Sequence, residues 1–197
     1  MKKVVLYLTA LMAAIPATAH ANEDSPLAGF SVGVGVTHDS NKVDLPGTII
    51  SAERKGLGVT GFVGYDAVVG ESLLIGVQAE IGTGGRTAGG LIAAGPAAYF
   101  VDPGMTYGAS ARIGVLAGEN LAFYGRAGFR SLRANIAATD LASVLVVDRT
   151  TETGLTYGAG AEYALGTGFA VRAEFNRTNF DRGISQNKML VGGAVRF

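Results

Sequence analysis

The chain contains 197 residues, no cysteine and equal numbers of acidic and basic side chains, so its formal charge at pH 7 is zero. Without cysteine there is neither a disulfide framework nor a thiolate metal site. No basic stripe of the kind that binds a phosphate backbone is present, and we expect no nucleic acid partner.

The first 21 residues have the pattern of a cleaved secretory signal. Lys2 and Lys3 precede an apolar run over residues 4–15, and Ala19-His20-Ala21 supplies a small-residue cleavage site. The apolar run is shorter than the roughly 20 residues that a spanning helix needs. We therefore predict a signal peptide over residues 1–21 and a single mature domain over residues 22–197.

The mature part shows alternation of apolar and polar residues with a period of two, which indicates β-strands. Glycine is frequent, with 30 residues in the chain, and it recurs inside the alternating segments. Interior glycines weaken helices but permit bends in curved sheets. Eight segments follow this pattern: residues 28–38, 56–67, 72–83, 105–116, 121–132, 154–165, 168–180 and 188–197.

The length and spacing of these segments predict a membrane barrel. Each is about as long as the 9 to 11 residues with which a tilted strand crosses a bilayer. Short connections at residues 69–71, 118–120 and 166–168 alternate with longer ones at 39–55, 84–104, 133–153 and 181–187. We predict an all-β, eight-stranded, antiparallel up-and-down transmembrane barrel with short periplasmic turns and longer extracellular loops.

The side chains on the inward parity are polar and charged. Ionisable groups at membrane depth normally face the interior and pair with one another, and eight strands leave room only for side chains. The predicted lumenal polar network comprises Gln78, Glu80, Arg112, Arg126, Glu162, Arg172, Glu174 and Arg196. A charged constriction that passes ions is the alternative interpretation of the same residues.

Aromatic side chains on the outward parity gather near the expected periplasmic ends of the strands. Such a girdle is typical of membrane interfaces. Phe62 and Tyr124 depart from the pattern, because their parity points inward. The predicted periplasmic aromatic girdle comprises Phe30, Tyr65, Phe123, Tyr163, Phe169 and Phe197.

Three short motifs carry a resemblance to a known family. Gly64-Tyr65-Asp66 precedes the first turn, Gly76-Val77-Gln78-Ala79-Glu80 follows it, and Val195-Arg196-Phe197 ends the last strand. With these motifs the chain resembles the outer-membrane β-barrel family that includes the OmpA transmembrane domain and the opacity-type surface proteins. The resemblance implies a role in envelope integrity or adhesion, and it implies that Phe197 is a signal for the barrel-assembly machinery.

A catalytic alternative rests on His38, which is the sole histidine after the predicted cleavage site. His38 as a base with Ser40 as a nucleophile would suit a lipid A-modifying enzyme. Adjacent residues on a loop rarely form a catalytic triad, so we expect no enzyme. Scattered acidic residues in external loops are candidates for cation binding, but solvated side chains are the simpler interpretation; they are Asp148, Glu152 and Asp181.

Two predicted external loops, within residues 91–101 and 141–147, are unusually apolar. Exposed apolar patches often mark contact sites. The simpler interpretation is that the third to sixth strands extend beyond the bilayer and pack there. A ten-stranded barrel is a further alternative, although Pro96 and Pro103 shorten these runs.

These patterns together predict a non-catalytic protein of the bacterial outer membrane with a structural or surface-interaction role. The alternatives are a narrow passive pore and an enzyme acting on lipid A. The expected partners are outer-membrane lipid and lipopolysaccharide, the barrel-assembly machinery during insertion, and a host or surface ligand at the external loops. We expect a monomer with no cofactor and no metal.

Overall fold

The computed structural model describes residues 25–43, 52–83, 88–91, 98–140, 143–166, 168–180 and 184–197. The predicted signal peptide lies outside these residues. Among the residues described, no helix is long and apolar enough to cross a membrane. They form nine β-strands: β1 (Gly29–Val43), β2 (Ala52–Val69), β3 (Leu73–Thr83), β4 (Ala88–Leu91), β5 (Ala98–Leu116), β6 (Leu121–Asp140), β7 (Ser143–Ala164), β8 (Phe169–Phe180) and β9 (Ile184–Arg196).

Eight of these strands close into an antiparallel barrel. The eight barrel strands pair in chain order, with β3 paired directly to β5, and β1 pairs with β9 to close the sheet. Closure leaves no open sheet edge, which a spanning sheet requires because hydrocarbon offers no hydrogen-bond partner. The four-residue β4 pairs with the external part of β5, further along that strand than the part that pairs with β3. The prediction of eight barrel strands is therefore confirmed.

Tight turns at one end of the barrel depend on glycine. Gly70, Gly118 and Gly166 lie in the three short connections and have positive φ values of 65°, 85° and 114°. This left-handed backbone is readily adopted only by a residue without a Cβ. The chain termini of the barrel lie at the same end, where the Phe197 amide donates to the Phe30 carbonyl at 2.9 Å. We refer to this end as the periplasmic end.

At the opposite, external end the strands run further than the alternation predicts. β5 begins at Ala98, β6 continues to Asp140 and β7 begins at Ser143. The extension expected for the apolar loops is thus confirmed for these three strands, and the loop bounds 84–104 and 133–153 were too wide. Pro103 lies at a register shift in β5, where its missing N–H is tolerated.

The barrel is apolar outside and polar inside. In β8 the side chains alternate strictly between exposed and buried, with Phe169, Val171 and Phe175 outward and Arg172 and Glu174 inward. Large exposed hydrophobic side chains cover the outer face of the other barrel strands in the same way. A face of this kind is stable only against hydrocarbon.

Candidate functional site: the charge network of the lumen

Charged side chains fill the interior of the barrel. All eight residues of the predicted lumenal set are buried. The described interior holds six buried cations and five buried anions: Arg112, Arg126, Arg130, Arg172, Lys188, Arg196, Asp39, Asp66, Glu80, Glu162 and Glu174. Charges removed from water are tolerated when they are paired and hydrogen-bonded, so the geometry of pairing determines what the lumen can do.

Four of these residues form a closed ring of alternating charge. Arg112 of β5 binds Asp66 of β2 and reaches Glu162 of β7 at 3.5 Å. Arg196 of β9 lies 2.9 Å from Asp66 and 2.6 Å from Glu162. The ring therefore takes one side chain from every second strand around the barrel. Inward side chains from alternate strands stack in layers in closed barrels, and this layer spans the lumen.

Arg172 links the ring to the next layer. Its Nη2 atom lies 2.9 Å from Glu162, and its Nη1 atom donates to Gln78 at 2.5 Å. The guanidinium also stacks 4.0 Å from the centre of the Phe62 ring. Phe62 fits inside because it lies over Gly33, where a Cβ would come within 2.3 Å of the ring. The inward-facing ring of Phe62 thus fills the space left by the missing side chain of Gly33.

The second layer is centred on Glu80 and Glu174. Arg126 bridges them, at 2.9 Å from Glu80 and 2.7 Å from Glu174. Glu80 also binds Arg130, and the Tyr124 hydroxyl donates to Glu174 at 2.7 Å. Each of the five buried arginines therefore contacts at least one carboxylate.

Apolar side chains close the periplasmic end of the lumen. Leu27, in the turn before β1, has 0% exposure. Its carbonyl accepts a hydrogen bond of 2.5 Å from Arg196 Nη1, which fastens the turn to the charge ring. Leu27 belongs to a cluster of buried residues that also contains Val68, Leu74, Ala122, Tyr124 and Ala164. An apolar layer therefore separates the charge ring from the periplasmic end of the barrel.

Polar groups continue toward the external end. Lys188 Nζ donates to Thr60 at 3.3 Å, and Thr37 donates to Asp39 at 3.1 Å. Phe180, the last residue of β8, is also buried. No group of three or more His, Cys, Asp or Glu side chains suited to a metal ion occurs in the described part of the chain.

Sequence reasoning omitted four charged residues from this interior: Asp39, Asp66, Arg130 and Lys188. Parity assigned Arg130 to the inward side of β6 with Arg126, but the predicted network did not include it. Asp66 is harder to assign because Ala67 and Val68 beside it are buried too, which interrupts the alternation near the turn. Asp39 had been assigned to a loop, whereas β1 continues past it to Val43.

The six aromatic residues of the predicted girdle are all exposed on the outer face. Phe30 of β1 lies next to the C-terminal Phe197, and the centres of the two rings are 6.5 Å apart. The part of Phe197 in recognition by the assembly machinery stays a prediction.

The residues of the catalytic alternative lie in β1, where His38 and the partly exposed Ser40 share the outward parity. His38 is exposed on the outer face of β1, whereas the neighbouring Asp39 is buried on the inner face. Successive residues of a strand point to opposite faces, so Asp39 does not complete a triad with His38 and Ser40. Glu152 lies in β7 with partial burial, and the side chain of Asp148 and all of Asp181 lie outside the described residues.

Comparison with known proteins agrees with this architecture. The chain matches the family model of the outer membrane protein beta-barrel domain over residues 7–197. None of the curated proteins compared with the chain matches it.

Two solved structures have a similar fold. Ail, the attachment invasion locus protein of Yersinia pestis, solved with the heparin analogue sucrose octasulfate, is 15% identical with a TM-score of 0.57, over 87% of this chain and 100% of that chain. Neisserial surface protein A is 19% identical with a TM-score of 0.56, over 86% of this chain and 98% of that chain. The chain therefore belongs to the outer membrane protein β-barrel family and is a protein of the bacterial outer membrane.

Proposed function

We propose that this protein is a non-catalytic outer-membrane barrel with a closed lumen, which stabilises the envelope and presents its external end for surface interactions. The observation that carries the proposal is the ring of Asp66, Arg112, Glu162 and Arg196, whose ion pairs cross the lumen between alternate strands.

Ion passage would require this ring to open. Separating one partner from a buried pair costs about 3 to 5 kcal/mol, because a charge is left without compensation in a low-dielectric interior. The lumenal arginines also contact more than one acceptor, so that several pairs would have to separate together. The apolar layer around Leu27 adds a second obstacle at the periplasmic end. A passive pore is thus the less favoured function.

The surface-interaction part of the proposal is supported by fold and location. Loops of a barrel carry variable binding surfaces on a rigid wall, and here the external ends of β5, β6 and β7 extend past the predicted spanning segments. The two similar structures are named as an attachment protein and a surface protein. Lipopolysaccharide surrounds the external half of the wall, and the assembly machinery is the expected partner during insertion.

Planar-bilayer recording tests the closed lumen. The purified, folded chain is expected to give no stepwise conductance above background, and insertion is verified independently by protection of the strands from protease. A variant with Phe129→Leu on the lipid face serves as a matched control that leaves the lumen unchanged. Steady, voltage-independent steps from the inserted wild-type chain would overturn the proposal in favour of a pore.

The surface role is tested separately by adherence. Bacteria that produce the protein are expected to adhere to host cells or abiotic surfaces more than an isogenic strain without it. Equal adherence together with an unchanged resistance of the envelope to detergent would contradict both parts of the proposed role. A change in lipid A composition that depends on the protein would instead favour the enzymatic alternative.

A further inference from the structure

Charges on the lipid-facing surface differ between the two ends of the barrel. At the periplasmic end the outward side chains are aromatic or aliphatic, and the exposed turn residues include Glu71 and Glu119. Near the external end, the described outward side chains include the exposed cations Lys55, Arg133 and Arg177. No exposed outward acid accompanies them among the described side chains. Among the side chains that the structure describes, the outward cations thus lie near the external end.

The side chain of Arg133 on β6 contacts an aromatic ring on the neighbouring strand. Its guanidinium lies over the ring of Tyr107 on β5, 5.4 Å from the ring centre. Next to it, the hydroxyls of Ser131 and Thr153 form a hydrogen bond of 2.9 Å across β6 and β7. The aromatic ring therefore lies against the exposed cation at the outer surface.

Arg177 occupies a comparable position on β8. Its Nε atom donates to Asn179 Oδ1 at 3.2 Å. In the sheet register Arg177 faces Tyr157 on β7 and Asn187 on β9. A guanidinium has five N–H donors in a planar fork, of which this bond uses the one on Nε.

Neither arginine has a carboxylate partner in the described part of the structure, whereas all five buried arginines do. Arg133 lies ten positions along β6 from Phe123, and Arg177 lies eight positions along β8 from Phe169. With a rise of about 3.4 Å per residue and a tilt of about 40°, both lie roughly 20 to 25 Å above the aromatic girdle. That height matches the far edge of the apolar band.

We propose that Arg133 and Arg177 bind the phosphate groups of lipopolysaccharide in the outer leaflet, and that Tyr107 and Tyr157 border the two contacts. Phosphate suits this geometry because guanidinium groups bind phosphate oxygens through paired, charge-assisted hydrogen bonds. β6 and β8 are two strands apart, or about 10 Å across the strands, so both contacts lie on one side of the barrel. The inference deepens the proposed function, since it names the lipid partner of the wall.

The test measures binding of purified lipopolysaccharide to the full, folded chain in detergent micelles. Replacing either arginine, as Arg133→Gln or Arg177→Gln, is expected to weaken binding about tenfold, in line with about 1.4 kcal/mol for a lost charge-assisted contact. The variant Arg133→Lys with Arg177→Lys retains the charge but not the paired hydrogen bonds of a guanidinium, and its affinity is expected to lie between those of the wild type and the double glutamine variant. Heat-modifiable migration on gels verifies that each variant is folded.

Three outcomes would overturn the inference. They are equal lipopolysaccharide binding by wild type and the double glutamine variant, equal binding of dephosphorylated lipopolysaccharide, and equally tight arginine-dependent binding of phosphatidylglycerol. The last would indicate a general anionic-lipid site. These results are independent of conductance, so failure here and failure of the closed-lumen proposal are distinguishable.

Discussion

Glu162 accepts contacts from three arginines on three different strands. Arg112 lies 3.5 Å away, Arg172 lies 2.9 Å away and Arg196 lies 2.6 Å away. No other carboxylate in the described lumen compensates so many cations. The balance of six buried cations against five anions leaves no spare negative charge to replace it.

Glu162→Gln is therefore expected to lower the free energy of unfolding by about 3 to 5 kcal/mol, because it leaves buried cations under-compensated. Glu119→Gln, in an exposed periplasmic turn, is the matched control and is expected to change it by less than about 0.5 kcal/mol. The chain has no tryptophan, so urea unfolding is followed by far-UV circular dichroism in lipid vesicles. Coincident unfolding curves for both variants would show that the carboxylate charge of Glu162 is dispensable.

Which residues of the lumen could be predicted depended on how regular the local alternation is. In β8 the alternation is strict, and Arg172 and Glu174 were assigned inward from sequence. Near the turn after β2 three successive residues are buried, so parity carried no information about Asp66. No sequence pattern predicts that Asp66 and Arg196, 130 positions apart, meet across the lumen. Only closure of the barrel brings them together.

At the scale of strands, β9 has two tasks. It pairs with β1 to close the sheet, and it supplies Arg196 to the charge ring. The strand bounds themselves were predictable where lipid imposes alternation. They were not predictable at the external ends, because strands that leave the bilayer lose the contrast between an apolar face and a polar one. Residues such as Ala98 and Asp140 were therefore assigned to loops.

The C-terminal Phe197 is expected to be required for assembly, beyond its place in the girdle. Phe197→Ala should reduce the amount of folded protein in the outer-membrane fraction several-fold, whereas Phe169→Ala should change it little. The two rings are suitably matched, since both belong to the girdle and are 78% and 62% exposed. Heat-modifiable migration of membrane fractions measures the folded amount. Equal losses for both variants would show that Phe197 contributes no more to assembly than another aromatic residue of the girdle.

At the scale of the whole molecule, the barrel reverses the usual order of a soluble domain. Its hydrophobic side chains are on the outside and its charges are in the centre, as expected for a wall that faces hydrocarbon. The eight-strand architecture and the location followed from the sequence, because the bilayer constrains strand length, parity and turn position together. The biological task depends on the loops and external ends, where no comparable constraint acts.

Export to this location makes a prediction about the mature chain. Protein purified from the outer membrane is expected to begin at Asn22, after cleavage at Ala19-His20-Ala21, because small residues at these positions fit signal peptidase. Intact-mass spectrometry measures the terminus. Ala21→Asp should block processing and leave the precursor at the inner membrane, with Asn22→Asp as the control that is still cleaved. A mature protein that retains residues 1–21 would contradict the predicted domain bounds.

The ring of four lumenal charges has a consequence for how the barrel forms. Its contacts join residues separated by 34, 46, 50 and 130 positions, and none lies within a single hairpin. One of these contacts, between Asp66 of β2 and Arg196 of β9, crosses the seam between β1 and β9, so it forms only when the first and last strands meet. The β1–β9 seam and the last contact of the charge ring are thus completed in the same step, so the buried ion pairs favour the closed cylinder over a sheet whose edges have not met.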